Sequence, residues 1–306
     1  MKKNTSTTVS LYRHKTLLAL LQVFGGKLSN IDLQKLLFLF TQQCQQDKSY
    51  DFVPFRYGCF SFQSYADRRK FVERGIISDN PDAWHLMADN AHNFLDELTP
   101  GDKGKLVLFQ ERYVDLRGDA LLKEVYTRFP YYATRSEIAG RILSDEQLQA
   151  VAHVLPTQSG HRFFTIGYEG KSFEQYLNQL IQNNVKLLCD VRKNPLSRKY
   201  GFSKSTLSET LQRLGIVYIH LPALGIVSDK RRTLATPDDY FRLFDEYEAT
   251  TLQENESALE QLIELVKTHK RIAITCFEAE ECMCHRGRVA KALQALPEWQ
   301  YKVEHL

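Results

Sequence analysis

The sequence lacks a long hydrophobic run. Its most apolar stretch, residues 17–24, is short and interrupted by Gln22, whereas a membrane-spanning helix needs about 20 apolar residues. No apolar signal-peptide core stands behind the polar start Met1-Lys2-Lys3-Asn4-Thr5. These absences predict a cytoplasmic chain with no membrane partner. A charge excess is also missing: 40 Lys and Arg against 37 Asp and Glu leave a formal +3. A nucleic-acid partner would therefore have to be met by a local basic cluster. Cysteine is sparse and unevenly placed, at Cys44, Cys59, Cys189, Cys276, Cys282 and Cys284. In a large chain with no secretion signal this argues against a disulfide framework and for thiols that are buried or functional in a reducing compartment. Neither G-x-G-x-x-G nor a P-loop occurs, so no nucleotide cofactor is expected. There is no internal repeat and no low-complexity segment.

What is present suits two ordinary domains: 306 residues, 43% hydrophobic and 25% charged. Residues 16–24 read as a Leu-rich helix stopped by Gly25-Gly26, and residues 31–43 as a second helix behind a Ser29-Asn30 cap. An aromatic segment follows (Phe52, Phe55, Tyr57, Phe60, Phe62), then a helix over 64–74, Gly75-Ile76-Ile77, and Trp84-His85-Leu86-Met87 as a wing strand. That order predicts a mainly helical, winged-helix-like DNA-binding domain over 1–118. Residues 119–160 read as a helical connector ending in the linker Pro156-Thr157-Gln158-Ser159-Gly160. From 161 to 306 apolar strands at 163–167, 185–191, 217–221 and 271–276 alternate with helices. The pattern predicts an α/β domain with a mostly parallel sheet and helices on both faces, whose ligands sit at the strands' carboxyl ends.

Three strand ends carry unusual residues. The first is Thr165-Ile166-Gly167-Tyr168-Glu169-Gly170, where two glycines allow a sharp turn. The second begins with Asp190, an acid at the end of a buried strand and costly there unless paired or working. Arg192, Lys193, Ser197, Arg198, Lys199 and Lys204 follow it, interleaved with Tyr200 and Phe202, cations for phosphate and rings for an extruded base. Asp229-Lys230-Arg231-Arg232 adds a further basic patch. The third runs from Cys276 through Glu278, Glu280, Glu281, Cys282 and Cys284 to His285 and Arg286. Its spacing departs from the paired C-x-x-C knuckles of zinc fingers and ribbons, so no metal is expected. A reactive Cys284 beside a helix N-terminus is a second reading. The preferred one is an anion site at His285, Arg286 and the helix N-terminus, with Glu278 opposite.

Together these segments resemble the bacterial family known as domain of unknown function 488, in which a T-I-G-Y/H strand, a D-V-R-x-x-P-x-S-R segment and a C-x-E…C-H-R segment occur in this order. The matching residues here are Thr165-Ile166-Gly167-Tyr168, then Asp190-Val191-Arg192 with Pro195, Ser197 and Arg198, then Cys276, Glu278, Cys284, His285 and Arg286. The N-terminal half looks like a helical, winged-helix-like extension found on some long members, through Leu33-Gln34-Lys35-Leu36-Leu37 and Arg56-Tyr57-Gly58. The resemblance implies a fold and a site, not a reaction.

The sequence reading that follows is a DNA-acting enzyme that processes a base, an N-glycosylase in repair or antiviral defence. It assigns catalysis to Asp190 and Glu278, phosphate binding to Arg192, Lys193, Ser197, Arg198, Lys199, His285 and Arg286, and stacking to Tyr168 and Phe202. No cofactor is predicted. The alternatives are a thiol enzyme such as a sulfurtransferase working through Cys276 or Cys284, a non-catalytic DNA- or nucleotide-sensing regulator, and a phosphodiester nuclease.

Overall fold

The computed structural model describes residues 9–87, 92–227 and 236–306. The chain forms two compact units, Met1–Leu155 and Pro156–Leu306. Among the described residues no helix is long and apolar enough to cross a membrane, and all six cysteines are free thiols.

The first unit is mainly helical. Helix α1 (Tyr12–Val23) leads through strand β1 (Lys27–Ser29) to α2 (Asn30–Cys44). The Ser29 side chain caps α2 by accepting from the Asp32 amide. Helix α2 is buried from Asp32 to Thr41, an all-round burial that marks it as the central helix of the unit. The aromatic segment becomes a hairpin of β2 (Val53–Phe55) and β3 (Gly58–Phe60). Gly58 takes a positive φ of 89° at its turn, and a Cβ there would strike the Tyr126 ring. Helix α3 (Phe62–Glu73) follows, and β4 (Ala83–His85) pairs antiparallel with β1. Trp84, read as part of a wing, is fully buried in that pair.

The predicted connector is not separate from this unit. Helices α4 (Pro100–Tyr113), α5 (Gly118–Arg128), α6 (Ala139–Ile142) and α7 (Asp145–His153) complete it. Leu121, Leu122, Val125, Tyr126, Ala133, Ala139 and Leu143 join the same core as α1 and α2. The helical periodicity of this stretch serves packing against α2, which a reading of local patterns could not distinguish from a bridging helix.

The second unit holds a five-stranded, all-parallel sheet. Its strands are β5 (Arg162–Gly167), β6 (Leu187–Asp190), β7 (Val217–His220), β8 (Arg271–Cys276) and β9 (Val303–His305), in the order β7-β6-β8-β5-β9. The helices are α8 (Phe173–Gln182), α9 (Lys204–Arg213), α10 (Pro237–Tyr247), α11 (Glu256–His269) and α12 (His285–Ala295). On one face Phe163, Leu187, Cys189, Ile272 and Ile274 form a core with α10, α11 and α12. Residues alternate between faces along a strand, so Thr275 points the other way, where its hydroxyl accepts from Tyr176 of α8 at 2.9 Å. Strand β9, only three residues long, is not legible as a strand in the sequence.

Candidate functional site

The topology brings the three strand ends to one edge. β8 lies between β6 and β5, pairing Gly167 with Cys276 and Asp190 with Thr275. Beyond the strands, the Phe277 carbonyl accepts from the amides of Tyr168 (3.1 Å) and Glu169 (2.9 Å). A Cβ on Gly167 would collide with the Glu278 carbonyl, so glycine is what lets the loop after β8 close on β5.

Asp190 is fully buried and its hydrogen-bonding capacity is spent. Oδ1 accepts from the Arg192 amide at 3.1 Å and from Arg192 Nε at 2.8 Å. Oδ2 accepts from Arg192 Nη2 at 2.5 Å and from the Tyr218 hydroxyl at 2.7 Å. Arg192 Nη1 donates to the Tyr168 hydroxyl (3.0 Å) and the Phe202 carbonyl (2.8 Å). Burial alone would lower the Arg192 pKa, but the Asp190 carboxylate outweighs it and raises it. Burial, followed by Asp190, likewise raises Tyr218. This corner is therefore a structural ion pair that pins the 191–202 loop. The carboxylate is in no position to steer water, and the guanidinium has little left to offer a phosphate. Tyr168 and Phe202, predicted to stack on a base, stack on each other, with centroids 4.2 Å apart and planes 9° apart. Phe202 is wholly buried and Lys199 Nζ is held by the Tyr168 carbonyl at 2.8 Å.

Arg286 is also structural. It is 1% exposed and donates through Nη1 to the Glu278 carbonyl and through Nη2 to the Ala279 carbonyl, the latter at 2.7 Å. Glu169 adds a carboxylate accepting from the Ala279 amide at 3.0 Å. The loop after β8 is thus built by a buried cation rather than being the wall of a phosphate site made by that cation.

The end of β8 is different. Cys276 Sγ lies 3.5 Å from His285 Nδ1 and 3.3 Å from Glu278 Oε2. His285 Nε2 lies 3.1 Å from the Val191 carbonyl, an oxygen that can only accept. The proton therefore belongs on Nε2, and Nδ1 faces the Cys276 thiol as an acceptor. The Tyr247 ring meets the imidazole edge-on at 5.8 Å. Cys284 is the N-cap of α12 and fully buried. Burial, then the Cys276 thiol, drives its pKa well up, which removes it as the low-pKa reactive cysteine. The sulfurs of Cys276 and Cys284 and a nitrogen of His285 all fall within 4.8 Å of one another. The sequence spacing argued against such a metal-compatible cluster, but the loop between strand and helix folds back and closes the gap.

A cavity of about 320 Å³ opens over this corner, lined by Cys276 and His285, by Tyr168 and Arg192, and by Lys193, Asn194, Ser197 and Arg198 from the loop after β6. Leu196, Phe277 and Ile226 complete its lining. Of the predicted anion ligands, Lys193, Ser197 and Arg198 thus face the cavity. His285 reaches it as the thiol's partner, and Lys199 and Arg286 serve the backbone. The basic patch at Asp229-Lys230-Arg231-Arg232 lies outside the described residues. Sequence reasoning missed Tyr218, Tyr247 and His220, the last accepting from Lys204 Nζ at Nδ1 (3.1 Å) and donating from Nε2 to the Arg192 carbonyl (2.9 Å). His220 ends a strand, and the rule that pointed to Asp190 and Cys276 would also have found it.

Residues 172–293 match the family model described as Domain of unknown function DUF488, the family that the sequence motifs resemble. The matched span contains both the Asp190–Arg198 and Cys276–Arg286 segments and begins just after Tyr168. No curated protein matches the chain.

Proposed function

We propose that the second unit is a thiol-dependent enzyme that transfers a group from an anionic donor, with Cys276 as nucleophile and sulfur as the group transferred. The observation that carries this reading is the Cys276–His285 pair at the floor of a cationic cavity. A nucleophile needs an adjacent base held by a third group, and here the Val191 carbonyl does the holding. Lys193 and Arg198 supply charge for the donor anion.

With thiosulfate as donor, His285 Nδ1 takes the Cys276 proton and the thiolate attacks the outer sulfur. The donor's S–S bond breaks, sulfite leaves with the electron pair, and a persulfide remains on Cys276 for a thiophilic acceptor to collect. An N-glycosylase would need a carboxylate free to face its substrate, and the Asp190 oxygens are committed to Arg192 and Tyr218. The test is mass spectrometry of reduced, metal-free protein after incubation with thiosulfate. The expected result is one added sulfur on the peptide containing Cys276, removed by cyanide and absent from Cys276→Ser. Unmodified Cys276, or sulfur confined to the exposed Cys282, would overturn the proposal.

A further inference from the structure

We infer that Cys276, Cys284 and His285 form a three-ligand zinc site, and that zinc bound there closes Cys276 to substrate. The masking half rests on the thiol reading above; the metal site does not.

The geometry comes first. Around a tetrahedral zinc with bonds of roughly 2.0–2.3 Å, neighbouring donor atoms stand about 3.4–3.8 Å apart. Cys276 Sγ is 3.5 Å from His285 Nδ1, already an edge of that tetrahedron. The three Cys and His donors lie mutually within 4.8 Å, a span that side-chain rotation can shorten. The second observation is the far side of the imidazole. A metal-ligating histidine almost always gives its other N–H to a carbonyl or carboxylate, and His285 Nε2 has the Val191 carbonyl at 3.1 Å. The third is Cys284. It is fully buried and the proposed sulfur transfer gives it no task, yet its thiol is close enough to Cys276 to interact with it. Two thiols and an imidazole form a soft, borderline donor set suited to zinc rather than to magnesium or calcium. The cluster stands at the floor of the cavity, through Cys276 and His285, so an ion has a route in.

Because Cys276 is both nucleophile and ligand, its sulfur cannot serve donor and zinc at once. The full-length protein, reduced and stripped with a chelator, is titrated with zinc chloride against a chromophoric chelator, and each point is labelled with iodoacetate. One zinc ion per chain is expected, with labelling of Cys276 slowed at least about 10-fold at stoichiometric metal while labelling of Cys282 is unchanged. Replacing one ligand in Cys284→Ser is expected to weaken zinc by about 100-fold or more, since even changes behind the ligands cost about 10–100-fold. If that variant fails to fold by circular dichroism, His285→Gln takes its place, with weakened binding again expected. A wild type that binds no zinc overturns the site, as does a Cys284→Ser that binds as tightly as wild type. Zinc that binds while Cys276 labels at its metal-free rate overturns the masking. Metal-free protein whose Cys276 takes no label, yet which binds zinc through Cys284, removes the thiol enzyme and leaves the metal site standing.

Discussion

Two neighbouring strands of one sheet end in residues that look equally suited to chemistry, and the structure treats them in opposite ways. At the end of β6, Asp190 accepts four hydrogen bonds from Arg192 and Tyr218. At the end of β8, Cys276 faces an imidazole nitrogen and a carboxylate, and it lines a cavity. Both are almost wholly buried, so burial does not separate them. The remaining bonding capacity does. A buried polar group whose partners fill every lone pair organises structure. One that is left with reactive capacity, beside a base and open to a cavity, can act on a ligand.

The largest effect that would sharpen this contrast is expected from Cys276→Ser. Persulfide formation and sulfur transfer should be lost, a fall of roughly 10³-fold or more, while urea denaturation shows stability within about 1 kcal/mol of wild type. Asp190→Ala should do the reverse. It leaves Arg192 as a buried, unpaired cation and should destabilise the protein by about 3–5 kcal/mol. A stable Asp190→Ala protein without activity would break the contrast by placing Asp190 in the chemistry.

The first unit offers a control for the saturated type of carboxylate. Asp67 is buried, with Arg13 Nε at 2.7 Å, the Tyr50 hydroxyl at 3.1 Å, Gln63 Nε2 at 3.1 Å and His14 Nε2 at 3.0 Å. Burial alone would raise its pKa, but hydrogen bonds from His14 and Arg13 outweigh it and hold the carboxyl well below the usual range. Its contribution is therefore complete above the unfolded pKa of about 4 and lost as pH falls toward the folded value. Asp67→Asn should cost about 2 kcal/mol at neutral pH and flatten the acid limb of a stability–pH curve, with sulfur transfer unchanged. The smallest effect belongs to the cavity wall. Lys193→Ala or Arg198→Ala should each raise KM for an anionic donor about 10-fold, or 1.4 kcal/mol, with kcat nearly unchanged.

Much of this was legible in the sequence. The alternation of short apolar strands with amphipathic helices predicts the parallel α/β unit, and the strand-end rule points to Gly167, Asp190 and Cys276. What the sequence could not give was the partner of each polar group. Arg192 and Arg286 read as phosphate ligands because a guanidinium carries the same chemistry whether it meets a ligand or a backbone carbonyl. Only the fold reveals that Arg286 holds the carbonyls of Glu278 and Ala279. The thiol–imidazole cluster was obscured for the same reason: nine positions separate Cys276 from His285 in the chain, against 3.5 Å between their reactive atoms in space. Residues 119–160 read as a connector and linker because amphipathic periodicity identifies a buried face without naming what buries it, whereas Leu121 to Leu143 pack in the core of the first unit.

The most direct test of the central claim compares two alkylating reagents on the metal-free protein, with each cysteine followed by peptide mapping. Iodoacetate is anionic and iodoacetamide neutral, so a cationic cavity favours the first. The account predicts that the ratio of iodoacetate to iodoacetamide rates is higher at Cys276 than at the exposed Cys282, that thiosulfate suppresses labelling at Cys276 alone, and that the buried Cys284 stays unlabelled. A Cys276 that labels no faster with the anion than Cys282 does, or that is indifferent to thiosulfate, would contradict it.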